Sequence, residues 1–347
     1  MELHSVKLRL QEHLSDGMVT VVGSGLSCAE GLPGMRELAN YLLTNIGSNL
    51  KEDDSTAWKE IGRLILSKGL EAALLAMPPT PALETAISSA TAELISERER
   101  SVISEVFSGK RTLRLTRLLS HLVKPPSGLT IVTTNYDRLV EIAAEEADLG
   151  ADTMFTGRFA GQLNENESRM SFCRGITMKP RRAASLQFRH RAIVCKPHGS
   201  LDWYARNGRP VFYAGELTGV SRLIITPGHN KFRNGYESPF DHHRSKANEA
   251  IDRASRFLVL GYGFNDDHLE THLSPSIRAG KPTLMLTHSL SAVARDFAFK
   301  FPSVIALEHA QKSGVTGTNA VIEQQEFFFP NIAIWDVNSF VTEVLEP

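Results

Sequence analysis

Cysteine is scarce in this chain: three of its 347 residues are cysteine, Cys28, Cys173 and Cys195. An odd number with no Cys-x-x-Cys pair excludes a four-thiolate zinc site within one chain and argues against a disulfide framework. An excess of one charge is also missing. The 38 basic residues nearly cancel the 39 acidic ones, so the field of the whole molecule argues neither for nor against nucleic acid. Nowhere do about eighteen apolar residues follow one another, and no membrane span is expected. There is no internal repeat and no low-complexity tract. Met1 to Gly17 is spotted with Lys7, Arg9, Glu12 and Asp16, which excludes a signal peptide there. With 42% hydrophobic and 22% charged residues, the chain has the composition of a globular protein with a large core and more than one structural unit. A cytoplasmic location is expected.

Val6, Leu10 and Leu14 recur at helical spacing before Gly17, which predicts a short amphipathic helix with a glycine stop. Met18–Val22 reads as a buried strand, and Met35–Ile46 as a helix with Leu38, Leu42 and Ile46 on one face. From about Asp53 to Leu122 Ala, Leu, Glu, Ser and Arg dominate, broken sharply only at Pro78-Pro79-Thr80-Pro81. That stretch is expected to be a helical insertion, 51–122. Leu129–Thr133 returns to strand composition, and Leu139–Ala147 to helix. Residues 150–190 show no clear period and are expected to be a second, loop-rich insertion. Strand-like runs resume at Ala192–Cys195, Leu223–Ile225, Arg256–Leu260, Thr283–Leu286 and Val304–Leu307, with helix-sized stretches at His242–Ala254 and Ser289–Phe299. Strands alternating with helices predict an α/β fold: a Rossmann-like, doubly wound, mostly parallel sheet. Its core would be assembled from 1–50, 123–149 and 191–347.

Four junctions where a strand hands over to a loop carry the chemistry, since ligands of open α/β sheets bind at that edge. Gly23-Ser24-Gly25 would let backbone amides approach a pyrophosphate, although a tight strand-to-helix turn explains it equally well. Arg36, after Gly31-Leu32-Pro33-Gly34-Met35, is either a phosphate partner or a solvated residue at a helix start. Asn135 and Asp137 follow Thr133-Thr134, where capping of the next helix is the competing reading. His198 lies in Pro197-His198-Gly199-Ser200, a glycine-flanked loop that suits a group titrating near neutrality. Gly261 and Gly263 precede Asn265, Asp266 and Asp267. The glycines could admit an adenosine, and Asp266 or Asp267 reads as the cap of a helix starting near His268.

As an ordered set these junctions resemble the sirtuin superfamily, whose members bind NAD in a Rossmann-like core. Gly23-Ser24-Gly25-Leu26-Ser27 is similar to its cofactor turn, and Gly31-Leu32-Pro33 with Arg36 to the adjoining loop. Thr133-Thr134-Asn135-Tyr136-Asp137 is similar to its Thr-Gln-Asn-Ile-Asp, and His198-Gly199 to its catalytic His-Gly. The resemblance spans about residues 18–46, 129–145 and 192–290. It departs from the deacylases, which carry two Cys-x-x-Cys pairs on a zinc ribbon and a Gly-Thr-Ser-Leu segment where this chain has Gly261-Tyr262-Gly263-Phe264-Asn265. Met35 stands where a Phe normally covers the nicotinamide. The chain looks most like bacterial sirtuin-like proteins of anti-phage defence that hydrolyse NAD, and among them those that pair with a HerA-type ATPase.

The resemblance implies catalytic roles for Asn135 and His198. It implies NAD contacts for Gly23, Ser24, Gly25, Ser27, Pro33, Arg36, Thr133, Asp137, Gly261, Gly263 and Asn265, with NAD as substrate and no zinc or other metal. Hydrolysis to nicotinamide and ADP-ribose is the expected reaction. ADP-ribosyl transfer is the alternative, and deacylation a distant third. A non-enzymatic nucleotide sensor or scaffold is the remaining class. It draws on Lys179, Arg181, Arg182, Arg189 and Arg191, a basic cluster that could meet nucleic acid, a weaker reading than a solvated or intersubunit face. A homo-oligomer and activity held in check by assembly or a partner are expected, with 51–122 the natural docking element.

Overall fold

The computed structural model describes residues 2–47, 50–178, 184–217, 219–226 and 237–346. In chain order, α1 (Leu3–His13), β1 (Met18–Val22), α2 (Ser24–Ala29) and α3 (Met35–Asn45) come first. Four helices follow: α4 (Glu52–Lys68), α5 (Leu70–Ala76), α6 (Pro81–Phe107) and α7 (Arg114–His121). β2 (Leu129–Thr133) and α8 (Leu139–Glu146) lead to β3 (Gly150–Asp152), β4 (Phe155–Thr156), β5 (Ala160–Leu163), α9 (Glu165–Ser171), β6 (Cys173–Thr177) and β7 (Ser185–Phe188). Then come β8 (Arg191–Cys195), β9 (Gly199–Arg206), β10 (Arg209–Tyr213), β11 (Arg222–Ile224), α10 (Phe240–Arg253), β12 (Arg256–Leu260) and α11 (Asp267–Arg278). The last elements are β13 (Thr283–Thr287), α12 (Ala292–Lys300), β14 (Val304–Lys312), β15 (Val315–Ile322), β16 (Gln325–Pro330) and α13 (Val337–Phe340).

The main sheet runs β16-β15-β14-β13-β12-β1-β2-β8-β3. From β14 to β3 every pairing is parallel, and only β15 and β16 run antiparallel. All five residues of β1 are buried, as expected of a parallel strand covered on both faces. Its side chains alternate between two cores: Met18 and Val22 enter one, Val19 and Val21 the other. Each such side chain contributes about 1.5–3 kcal/mol by leaving water. The chain leaves β1 toward β2 and later returns to β12 on the opposite side. That reversal of direction beside β1 is the crevice where an open α/β sheet binds ligands.

The helical stretch forms where expected. Thr80 caps α6, its Oγ1 accepting from the Leu83 amide at 3.3 Å, with Pro81 at the first helical position. α4, α5 and the first half of α6 close a core of their own with α3, around Leu42, Ile61, Ala73, Leu74 and Leu83. α7 behaves differently and packs Leu115, Leu118 and Leu119 into the core of the sheet.

The structure departs from the sequence expectation in three places. Most of the described residues of 150–190 lie in regular elements: β3 joins the main sheet, β4 and β5 join a second sheet, and β6 and β7 pair as a two-stranded sheet. Leu223–Ile225 does not extend the parallel sheet; β11 lies at the edge of the second, antiparallel sheet, ordered β11-β9-β10-β5-β4. β9, β10, β15 and β16 had no counterpart in the sequence reading. Among the described residues no helix is long and apolar enough to cross a membrane.

Candidate functional site

Two glycine turns cross at the C-terminal ends of β1 and β12. The Gly23 amide donates to Leu260 O at 2.9 Å and the Gly25 amide to Gly261 O at 3.0 Å. A Cβ on Gly23 would stand 2.5 Å from both Gly261 O and Tyr262 Cα. Gly261 itself sits at φ +58°, where a Cβ would meet the Leu26 amide nitrogen at 2.5 Å. Glycine is therefore required here by the approach of one backbone to the other. Two of the amides expected to face a phosphate are already bonded within the protein.

Beside this crossing, three side chains from distant segments form one chain of hydrogen bonds. Asn135 Nδ2 donates to Gly23 O at 3.0 Å and to Ser27 Oγ at 2.8 Å. Ser27 Oγ donates to Asp137 Oδ2 at 2.7 Å, and Asp137 Oδ1 accepts from the Leu139 amide at 3.2 Å. Both amide hydrogens of Asn135 are thus used, and its Oδ1 is the acceptor left for a ligand. Thr133 is fully buried and its Oγ1 accepts from the Asn135 amide at 3.1 Å, so it holds the turn. Burial pushes the Asp137 carboxyl up, with Lys196 opposing.

Lys196 is 0% exposed. Its ammonium donates to Asp137 O and to Glu141 Oε1, the latter at 2.9 Å, so it pins the turn that carries Asn135. Burial pushes the Glu141 carboxyl up to about 7, Lys196 opposing and Asp202 adding to the rise. Its Oε2 finds no hydrogen-bond partner among the described residues. On the other flank, fully buried Glu99 of α6 accepts from the Arg138 amide and guanidinium. The helical insertion is thereby tied to the same turn.

The residue after His198 has to be glycine. Gly199 sits at φ +88°, and a Cβ there would lie 2.0 Å from Leu223 O. His198 Nε2 stands 2.6 Å from Asp266 Oδ2, both side chains 7% exposed. The contact is close but bent away from hydrogen-bond alignment. Asp266 also caps α11, its Oδ1 accepting from the Leu269 amide at 3.0 Å. The Tyr262 hydroxyl donates to Glu270 Oε1 at 3.0 Å.

Gly23, Ser24, Ser27, Pro33, Asn135, Asp137, His198, Gly263 and Asn265 all line one cavity of about 220 Å³. Gly25 and Gly261 line a neighbouring cleft of about 450 Å³ with Thr287, His288 and Trp335. Arg36 is exposed on α3 and Thr133 lies below the turn; neither lines either cleft. A cleft of about 470 Å³ at the other ends of the strands is lined by charges such as Glu165, Arg191 and Lys246; Arg191 reaches it from the basic cluster, and none of the residues expected to bind or cleave NAD does. Sequence reasoning missed Lys196 as an organiser, Asp266 as the partner of His198, and Glu71 and Ile95 as wall residues supplied by the insertion. Of the basic cluster, Lys179, Arg181 and Arg182 lie outside the described residues. Arg191 is 5% exposed and paired with Asp152 at 3.2 Å, and Arg189 stacks over Phe172 at 4.7 Å. Arg191 is thereby withdrawn from the surface, whereas Arg189 stays exposed. Among the described residues no group of three His, Cys, Asp or Glu could hold a metal ion.

A family model described as SIR2-like domain matches residues 129–306, a span holding Asn135, Asp137, His198, Gly261, Gly263 and Asn265 but not the Gly23–Ser27 turn. The chain is similar in structure to a Sir2 protein solved with a p53 peptide and NAD, at 13% identity, with 100% of this chain and 98% of that one covered and a TM-score of 0.42. It is similar to Sir2Tm bound to a propionylated peptide, at 14% identity, with 84% and 89% covered and a TM-score of 0.40. A sirtuin solved in a study of substrate affinity gives 13% identity, 84% and 90% coverage and a TM-score of 0.41. These values are too low to support any inference about activity. No curated protein matches the chain.

Proposed function

This chain belongs to the SIR2-like domain family, whose general expectation is NAD-dependent enzyme activity, and on that premise we propose that it is an NAD glycohydrolase releasing nicotinamide and ADP-ribose. The observation that carries the reading is the convergence of the Asn135–Ser27–Asp137 chain and the His198–Asp266 pair on one cavity at the reversal of the sheet.

The residues present fit such a substrate. Leu32, Leu38 and Ile95 give the cavity an apolar wall for a nicotinamide ring, and Asp137 with Ser27 supplies polar groups for its carboxamide. NAD brings its own leaving group: nicotinamide departs neutral from a cationic glycoside and needs little acid assistance. As the C1′–N bond breaks, its electron pair goes to the nicotinamide nitrogen. Asn135 Oδ1 would accept a hydrogen bond from the attacking water and hold it in line. His198 would take the proton released as the water oxygen bonds to C1′, or that of a ribose hydroxyl. Ser24, Ser27, Pro33 and the Gly23–Gly25 turn would border the ribose and phosphates, and the cleft beyond Gly261 the adenosine end.

Hydrolysis is preferred to deacylation because the sequence has no Cys-x-x-Cys pair for a zinc ribbon and no Gly-Thr-Ser-Leu segment. The resemblance to defence proteins supports a role in anti-phage defence by NAD depletion, in a cytoplasmic homo-oligomer that works with a HerA-type ATPase. The test is to incubate the chain with NAD, alone and with such an ATPase, and follow both products. Release that vanishes in His198→Ala and Asn135→Ala supports hydrolysis by this site. Parental rates in either folded variant would sink it. Label from adenine-labelled NAD appearing on a macromolecule would instead indicate ADP-ribosyl transfer.

A further inference from the structure

We infer that Asp266 is the positioning residue for His198, a role that rests on the hydrolase reading above. Two contacts engage its carboxylate, one on each oxygen. Oδ1 is held by the Leu269 amide at 3.0 Å, and Oδ2 stands 2.6 Å from His198 Nε2. Both side chains are nearly buried and both line the cavity. A helix cap needs one carboxylate oxygen only; the second is the one that lies against the histidine.

The chemistry follows from which ring nitrogen carries hydrogen. A carboxylate accepts and does not donate, so Oδ2 favours the tautomer protonated at Nε2 and leaves the Nδ1 lone pair to receive a proton. When that proton arrives the ring becomes an imidazolium, and the anionic partner stabilises the charge in a water-poor site. Carboxylate–histidine pairs in hydrolases act in this way.

The decisive variant is Asp266→Asn. Asparagine is as good a cap as aspartate, so its Oδ1 keeps the Leu269 amide. Its Nδ2 then faces His198, and a donor there forces the ring to be protonated at Nδ1. With ¹⁵N-labelled histidine, the His198 ring is assigned by its loss in His198→Gln. The parent is expected in the Nε2-protonated form and Asp266→Asn in the Nδ1-protonated form, without NAD present. In the NAD assay the same variant is expected to lose about a hundredfold or more in kcat with KM changed less than about threefold. Asp267→Asn, one residue on, should keep the parental rate. An unchanged tautomer in Asp266→Asn overturns the inference, as does a raised KM at parental kcat, which would make Asp266 a binding residue. A tautomer switch in a protein whose parent form consumes no NAD would uphold the pairing and sink the hydrolase reading.

Discussion

Glu141→Gln isolates one buried carboxyl and makes a signed prediction. Glu141 sits in the first turn of α8, with Oε1 on Lys196 and Oε2 unpartnered among the described residues. Burial lifts its titration from 4.5 to about 7 in the folded protein. Below pH 4.5 the group is protonated in both folded and unfolded chains and contributes no pH dependence. Between 4.5 and about 7 the unfolded chain has released the proton while the folded one keeps it, so stability falls as pH rises. At about 1.4 kcal/mol per pH unit the loss reaches about 3 kcal/mol, and above pH 7 it stays constant. Glutamine does not titrate. The stability difference between Glu141→Gln and the parent should therefore shift toward the variant by about 3 kcal/mol from pH 4.5 to 7.5. Urea unfolding at half-unit pH steps measures it, and groups remote from Glu141 cancel because they are common to both proteins. Parallel stability curves for the two proteins would refute the reasoning.

His13 titrates with the opposite sign. Burial holds its imidazole down to about 4, and its Nε2 lies 2.9 Å from Phe257 O. The unfolded chain takes up the proton first, so stability drops as pH falls from 6.5 toward 4, and His13→Gln should flatten that limb in the same urea series. Glu99→Ala leaves the Arg138 amide and guanidinium without their acceptor and should cost about 3–5 kcal/mol in urea unfolding; a cost under about 1 kcal/mol would mean the insertion is not anchored through this pair. Gly199→Ala places a Cβ 2.0 Å from Leu223 O at φ +88°. It should destabilise by about 2 kcal/mol or more and lower any NAD turnover further than its stability explains.

What the sequence made legible were the features with local causes. β1, β2, β8 and β12 show as short apolar runs because both faces are buried, and the glycines behind β1 and β12 show because a backbone crossing tolerates nothing larger. β15 stayed hidden because Gly317, Thr318 and Asn319 are buried polar or small residues in mid-strand, where hydropathy carries no alternation. β6 and β7 stayed hidden because most of their residues are exposed, which removes any period. Asn135, Asp137 and His198 could be nominated from their place after strands. Their partners could not: Ser27 reaches Asp137 across 110 positions. Lys196 reads as solvated until the fold surrounds it with Glu141, Asp202 and Asp137. Asp266 announced its helix cap, which local sequence reveals, and not the second oxygen, which only the return of β12 beside β1 brings to the histidine.

The position of β1 also sets the order in which the molecule can be completed. Met18 pairs with Arg256, 238 positions later. The cluster of α3 to α6 closes within residues 38–94 and can form early during synthesis. The central sheet lacks its middle pairing until β12 has emerged, and loop closure over such a span is slow. The cavity takes walls from residues 23–38, 71, 95, 134–137, 198 and 262–266, so nascent chains and fragments cut anywhere between these segments have an incomplete pocket. Were the chain the NAD hydrolase proposed above, lateness of assembly would be a safeguard. It would confine turnover to finished molecules.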